Sequence, residues 1–226
     1  MTDIASKQKV RRHTIIVRLI HWTVALSGLL LLFSGMGQKP MYKRYNVVNI
    51  PGMSWSDDFE LLLVMHLVGA IFFSAAVAFH IIYHIRRRER EALPRRGDVG
   101  ASYRTIVAML RGRPEPPARK YLPEQRLTYL LMGTTILMLI GTGLVKAYKN
   151  LGPIVLDPTF LQVISLIHTF AAMFFMLLVI AHLAAFLIPA NRPLLPSMFS
   201  GKCCADYARH RHPLWKPETQ EGPDDR

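Results

Sequence analysis

Four apolar stretches, each long enough to cross a hydrocarbon core of about 30 Å, dominate this chain and decide the solvent in which it folds. They run over residues 19–37, 60–84, 127–148 and 160–188. Lipid offers no partner to an unpaired backbone N–H or C=O, so each stretch has to satisfy its own peptide groups as a helix. A transmembrane barrel would need short strands in which apolar and polar residues alternate, and these stretches do not alternate. The expected fold is therefore all-α, a polytopic membrane four-helix bundle. Composition agrees, since 51% of the 226 residues are hydrophobic and the mean hydropathy is positive. Lys7, Lys9, Arg11 and Arg12 ahead of the first stretch look like the basic start of a secretory leader. No small-residue cleavage site follows, so that stretch is read as a retained helix.

A net charge of +13 would point to nucleic acid in a soluble protein, and here its distribution points elsewhere. The arm 1–18 carries five Lys and Arg, the loop 85–126 twelve, and the tail 189–226 six; the connections 38–59 and 146–160 carry three and two. That asymmetry tracks the spans and places both termini and the long loop in the cytoplasm. The expected partner of these charges is the lipid bilayer of a bacterial inner membrane, and no nucleic acid. The expected organisation is an N-terminal arm over 1–18, a membrane domain over 19–188 and a cytoplasmic tail over 189–226. Within the loop, residues 99–110 have the period of a short amphipathic helix, bounded by Gly97 and Gly112 and expected to lie along the inner membrane interface. Residues 113–123 are proline-rich and extended. The tail holds adjacent Cys203 and Cys204 where thiols stay reduced, and no Cys-x-x-Cys-His for covalent haem occurs.

Four of the nine histidines, His21, His66, His168 and His182, fall inside spans, where an ionisable side chain is costly and marks a functional site. His168 and His182 are fourteen residues apart on one helix, which puts them on nearly one face about 21 Å apart. Two stacked haems fit that separation. Neutral imidazole on both axial positions makes an electron carrier that does not bind oxygen. Alternating helix direction fixes depth: His66 lies level with His168 near the outer surface, and His21 lies level with His182 near the inner one. His80 is also fourteen residues from His66, so depth leaves His21 and His80 both open as the inner partner. Against this stands the plain alternative that each histidine only hydrogen-bonds a neighbouring helix.

Several motifs in order add a family resemblance: Arg18-Leu19-Ile20-His21-Trp22-Thr23 at the start of the first span, the His168/His182 spacing, Thr142-Gly143, and His210-x-His212-Pro213-Leu214-Trp215 in the tail. Over residues 11–217 the chain resembles the gamma subunit, the membrane cytochrome b, of respiratory formate dehydrogenases. The resemblance implies two non-covalent b haems, an outer one on His66 and His168 and an inner one on His21 and His182, all four binding haem iron. It implies an iron–sulfur beta subunit and a molybdenum or tungsten catalytic alpha subunit as partners. Electrons would pass from the periplasmic side to quinone near the inner haem, so this chain catalyses no formate chemistry itself. The family's Asn-Ala-Gly-Gln-like quinone segment is replaced by Tyr121-Leu122-Pro123-Glu124-Gln125. Gln125 is therefore the candidate quinone contact, with Glu124 or His80 delivering protons; equally, Glu124 and Gln125 simply begin a helix. Arg18 is a candidate partner for a haem propionate or an interface anchor. The tail motif is expected to lie at the cytoplasmic surface. The related subunit of a nickel–iron hydrogenase or thiosulfate reductase shares the same plan, and a transporter relaying protons or a metal through its histidines is the rival of another class.

Overall fold

The computed structural model describes residues 8–153 and 155–216. Residues 1–7 of the expected arm and 217–226 of the tail lie outside the described residues. The four apolar stretches are helices: α1 (Ile15–Gly37), α3 (Phe59–Arg87), α5 (Pro123–Leu151) and α6 (Pro158–Ala184), with a 3-10 turn at Ala185–Leu187 completing the last. Shorter helices join them, α2 (Pro40–Arg44), α4 (Asp98–Leu110), α7 (Ser197–Ser200) and α8 (Ala205–Arg211), along with a 3-10 helix at Pro189–Leu194 and two strands, β1 (Lys9–Arg11) and β2 (Lys202–Cys204).

The long helices begin ahead of the apolar windows, and their first turns are capped. Thr14 Oγ1 accepts from Val17 N, Asp58 Oδ1 from Leu61 N at 3.0 Å, and Asp157 Oδ1 from Phe160 N at 2.8 Å. Gln125 does the same for α5 from inside the helix, its Oε1 accepting from Leu122 N at 3.1 Å.

The chain divides into two compact units. One comprises residues 19–85 and 135–176, in which parts of all four long helices pack together. Small residues set the spacing: a Cβ on Gly69 would lie 3.3 Å from Leu30 Cδ2, and one on Gly37 would lie 2.5 Å from Leu62 Cδ1. Phe73 on α3 meets Phe175 on α6 edge to face at 6.1 Å, with Gly28 of α1 against both rings. The connection 38–59 is more than a turn. It folds as α2 and two 3-10 turns, Val47–Asn49 and Ser54–Asp57, closed by a buried hydrogen bond between Tyr42 and Ser56 hydroxyls at 2.9 Å.

The other unit comprises residues up to 18, 86–134 and from 177 onward. Here β1 pairs antiparallel with β2, Val10 opposite Cys203, so the segments before the first span and after the last lie together. That is what an even number of crossings requires. The α4 helix occupies the expected place, opened by Gly97 at φ +88°, but its polar side faces inward. Asp98, Ser102 and Thr105 are buried, while Val99, Tyr103, Ile106 and Leu110 are exposed. The reason is Arg126, whose guanidinium takes both Asp98 carboxylate oxygens at 2.5 and 2.8 Å and holds that carboxyl below its usual range.

The tail corrects an expectation. Rather than lying along the surface, it folds back: His212 is fully buried and donates from Nδ1 to the Arg119 carbonyl at 2.6 Å. Arg12, 5% exposed, lies over the rings of Tyr121 and Trp215 and donates to the Lys120 carbonyl at 2.5 Å. His210 remains on the outside.

Candidate functional site

Two of the predicted histidines meet. His66 on α3 and His168 on α6 stand with ring centroids 6.4 Å apart and planes inclined by 68°. A metal ion bonded to one nitrogen of each ring needs about 2.0 Å per bond and about 1.1 Å from each nitrogen to its ring centre, or about 6.2 Å in all. At 6.4 Å the two rings stand at a separation at which one nitrogen of each would reach a shared metal ion.

Each ring is held from behind. His66 Nδ1 hydrogen-bonds Ser34 Oγ of α1 at 3.0 Å, and His168 Nδ1 hydrogen-bonds Thr142 Oγ1 of α5 at 2.8 Å. Both hydroxyl residues are buried. A glycine follows each: a Cβ on Gly35 would lie 3.1 Å from His66 Cε1, and one on Gly143 would lie 3.4 Å from His168 Cε1. All four helices thus contribute to one arrangement, hydroxyl-glycine on α1 and α5, imidazole on α3 and α6. With Nδ1 committed to hydrogen bonding, the lone pair belongs to Nε2, the usual condition of a metal-bound histidine.

Positive charge lies beside the pair. Lys39 Nζ donates to Thr169 Oγ1 at 2.8 Å, next to His168, and Lys146, one turn along α5 from Thr142, acts electrostatically on both rings. Two imidazoles flanked by lysines suit a group that is apolar in its plane and carries carboxylates at its edge, as haem does. Among the described residues, no three or more His, Cys, Asp and Glu side chains gather as a metal site.

Two turns along each helix from the histidines stand Phe73 and Phe175, whose rings form the next layer. Seven residues further come His80 on α3 and His182 on α6. His, Phe, His at seven-residue intervals on two helices, with Gly28 and Gly35 at the same interval on α1, is a periodicity that the histidine spacing alone did not display.

The other predicted residues are placed as follows. His21 and His182 belong to different units; the His21 ring stands edge-on to Trp22 at 5.4 Å, and the His182 ring to Phe186 at 6.2 Å. His80 lies against His84 of its own helix, centroids 4.4 Å apart. Arg18 Nη1 donates to the Phe199 carbonyl, and its Nε is buried without a partner among the described residues. Gln125 Oε1 caps α5, as above, and Glu124 Oε2 is buried without a partner among the described residues. Ser34 is the contributor that sequence reasoning missed.

The family described as prokaryotic cytochrome b561 matches residues 12–201 of this chain. No curated protein matches it.

Proposed function

Because the chain belongs to the prokaryotic cytochrome b561 family and is a multi-pass membrane protein that transfers electrons through b-type haem, we propose that it is the two-haem subunit linking a peripheral dehydrogenase to quinone. The observation that carries the two-ligand reading is the 6.4 Å pairing of His66 and His168, each braced by a hydroxyl. Bis-imidazole haem supplies one-electron transfer with little reorganisation. The residues supply the rest. His66 and His168 hold the outer group, Ser34 and Thr142 orient them, and Lys39 and Lys146 offset carboxylate charge. Depth in the sequence supports His21 and His182 as ligands of a second, inner haem. Arg18, with its buried Nε, is the cation proposed for an inner propionate.

The donor proposed is formate, oxidised by a molybdenum or tungsten alpha subunit outside the membrane and passed on through an iron–sulfur beta subunit. The motifs around His21, Thr142 and His212 support that choice. Quinone is proposed to take electrons near His182, with Glu124 or His80 providing protons and Gln125 contributing whatever its capping role leaves available. A hydrogenase partner is the second reading, favoured by the same helix plan.

The test is haem per chain and the reduced-minus-oxidised spectrum of the purified protein. Native protein is expected to hold two b haems and the His168→Ala variant one; a colourless native protein refutes the proposal. Co-purification with formate-dependent, rather than hydrogen-dependent, quinone reduction then decides the donor.

A further inference from the structure

Ser34 and Thr142 do the same thing at two places, and each does it with both faces of its hydroxyl. Ser34 Oγ donates to the Leu30 carbonyl at 2.7 Å, and Thr142 Oγ1 donates to the Met138 carbonyl at 2.7 Å, in each case four residues back along its own helix. A hydroxyl has one proton. Once that proton is given to the helix, the oxygen can meet the imidazole only as an acceptor, so the proton in each hydroxyl–histidine bond must come from Nδ1. Either ring turned to its other tautomer would set a lone pair against the lone pair of a buried hydroxyl oxygen.

The glycines after the hydroxyls complete the device. The ring of His66 lies so close to Gly35 that an added Cβ at 3.1 Å would push it, whereas at Gly143 the same Cβ falls at an ordinary 3.4 Å contact.

We propose that Ser34-Gly35 and Thr142-Gly143 are a matched pair of positioning elements that lock His66 and His168 in the Nδ1–H tautomer and so set the affinity and reduction potential of the haem between them. This rests on the reading of His66 and His168 as ligands. An imidazole that donates Nδ1–H to a good acceptor is the more basic ligand and favours the oxidised iron. Loss of the acceptor should therefore weaken haem binding and make the iron easier to reduce. The two halves differ in one respect: only the Gly35 side is tight enough for a methyl group to displace its ring.

The test uses full-length protein purified from membranes, with haem content, spectroscopic redox titration and the low-spin ferric EPR spectrum as readouts. Ser34→Ala and Thr142→Val are each expected to weaken haem retention about 10- to 100-fold, the range for loss of a ligand's outer partner. In the fraction that keeps haem, each is expected to shift the one-electron reduction equilibrium about tenfold toward the reduced form, which is about 59 mV upward. The titrating component is identified as the one lost in His168→Ala. Ser34→Thr, which restores an acceptor, should return the native potential, and a merely structural serine would not demand that. Gly35→Ala should lose this haem while Gly143→Ala keeps it. If Ser34→Ala and Thr142→Val retain the native potential and EPR signature of this haem, the proposal is overturned while the ligand reading stands. If His168→Ala leaves both haems in place, the ligand reading itself fails.

Discussion

Gly37 and Gly133 would respond in opposite ways to the same added methyl group. At Gly37 the new Cβ would sit 2.5 Å from Cδ1 of Leu62, a side chain only 1% exposed and so unable to move aside. Gly37→Ala is expected to cost about 1–3 kcal/mol, the usual range for overpacking. Nothing lies within 4 Å of a Cβ at Gly133, so Gly133→Ala should be neutral or gain about 0.5–1 kcal/mol of helix propensity. Thermal unfolding of the two variants in detergent checks both signs. Single residues were unequally legible in the sequence. His66 and His168 stood out because an ionisable group in lipid needs a reason. Ser34 did not, because a serine in a membrane helix can satisfy itself on its own helix carbonyl, as it does here on Leu30, and leaves no mark that it also serves a neighbour.

The element most sensitive to pH is α8 with the turn that follows it. Burial, aided by the charge of Arg12, lowers the His212 pKa from 6.5 to about 4, so the ring is neutral when folded. The unfolded segment binds a proton below about pH 6.5 and the folded one does not until about pH 4. Stability is therefore complete above pH 6.5 and falls as pH drops through that window. Protonation would also put an N–H at Nε2, which is buried without a partner among the described residues. Proteolysis of the tail in sealed inverted vesicles is expected to accelerate between pH 6.5 and 4, and the acceleration should vanish in His212→Gln. The helices themselves were legible from apolar length, and α4 from its flanking glycines. What holds the polar side of α4 inward was not legible, because hydrophobic periodicity cannot reveal that Asp98 finds Arg126 twenty-eight residues later. The burial of His212 was hidden for the same reason, since a basic, aromatic segment reads alike whether it lies on headgroups or folds back on Ala118 and Arg119.

For the molecule as a whole, charge asymmetry and the β1–β2 pairing lead to one topology. A reporter enzyme that matures only outside the cytoplasm should be active when inserted at Gly52, an open turn, and inactive when fused after Lys216; the reverse pattern would invert the assignment of sides. Fold class was readable because lipid admits so few structures. That His66 and His168 meet was readable because alternation of direction fixes depth. The hydroxyl-glycine repeat was hidden by the unequal distances along the chain, 32 residues from Ser34 to His66 and 26 from Thr142 to His168. One feature of the strand pair also bears on how the protein is made. At translation rates of about 5–20 residues per second, β1 leaves the ribosome on the order of 10 to 40 s before β2 exists. Throughout that interval β1 has no strand to pair with, and the clasp closes only after all four spans have been made. A ribosome that stalls before residue 202 therefore releases a product whose first segment has nothing to fasten to.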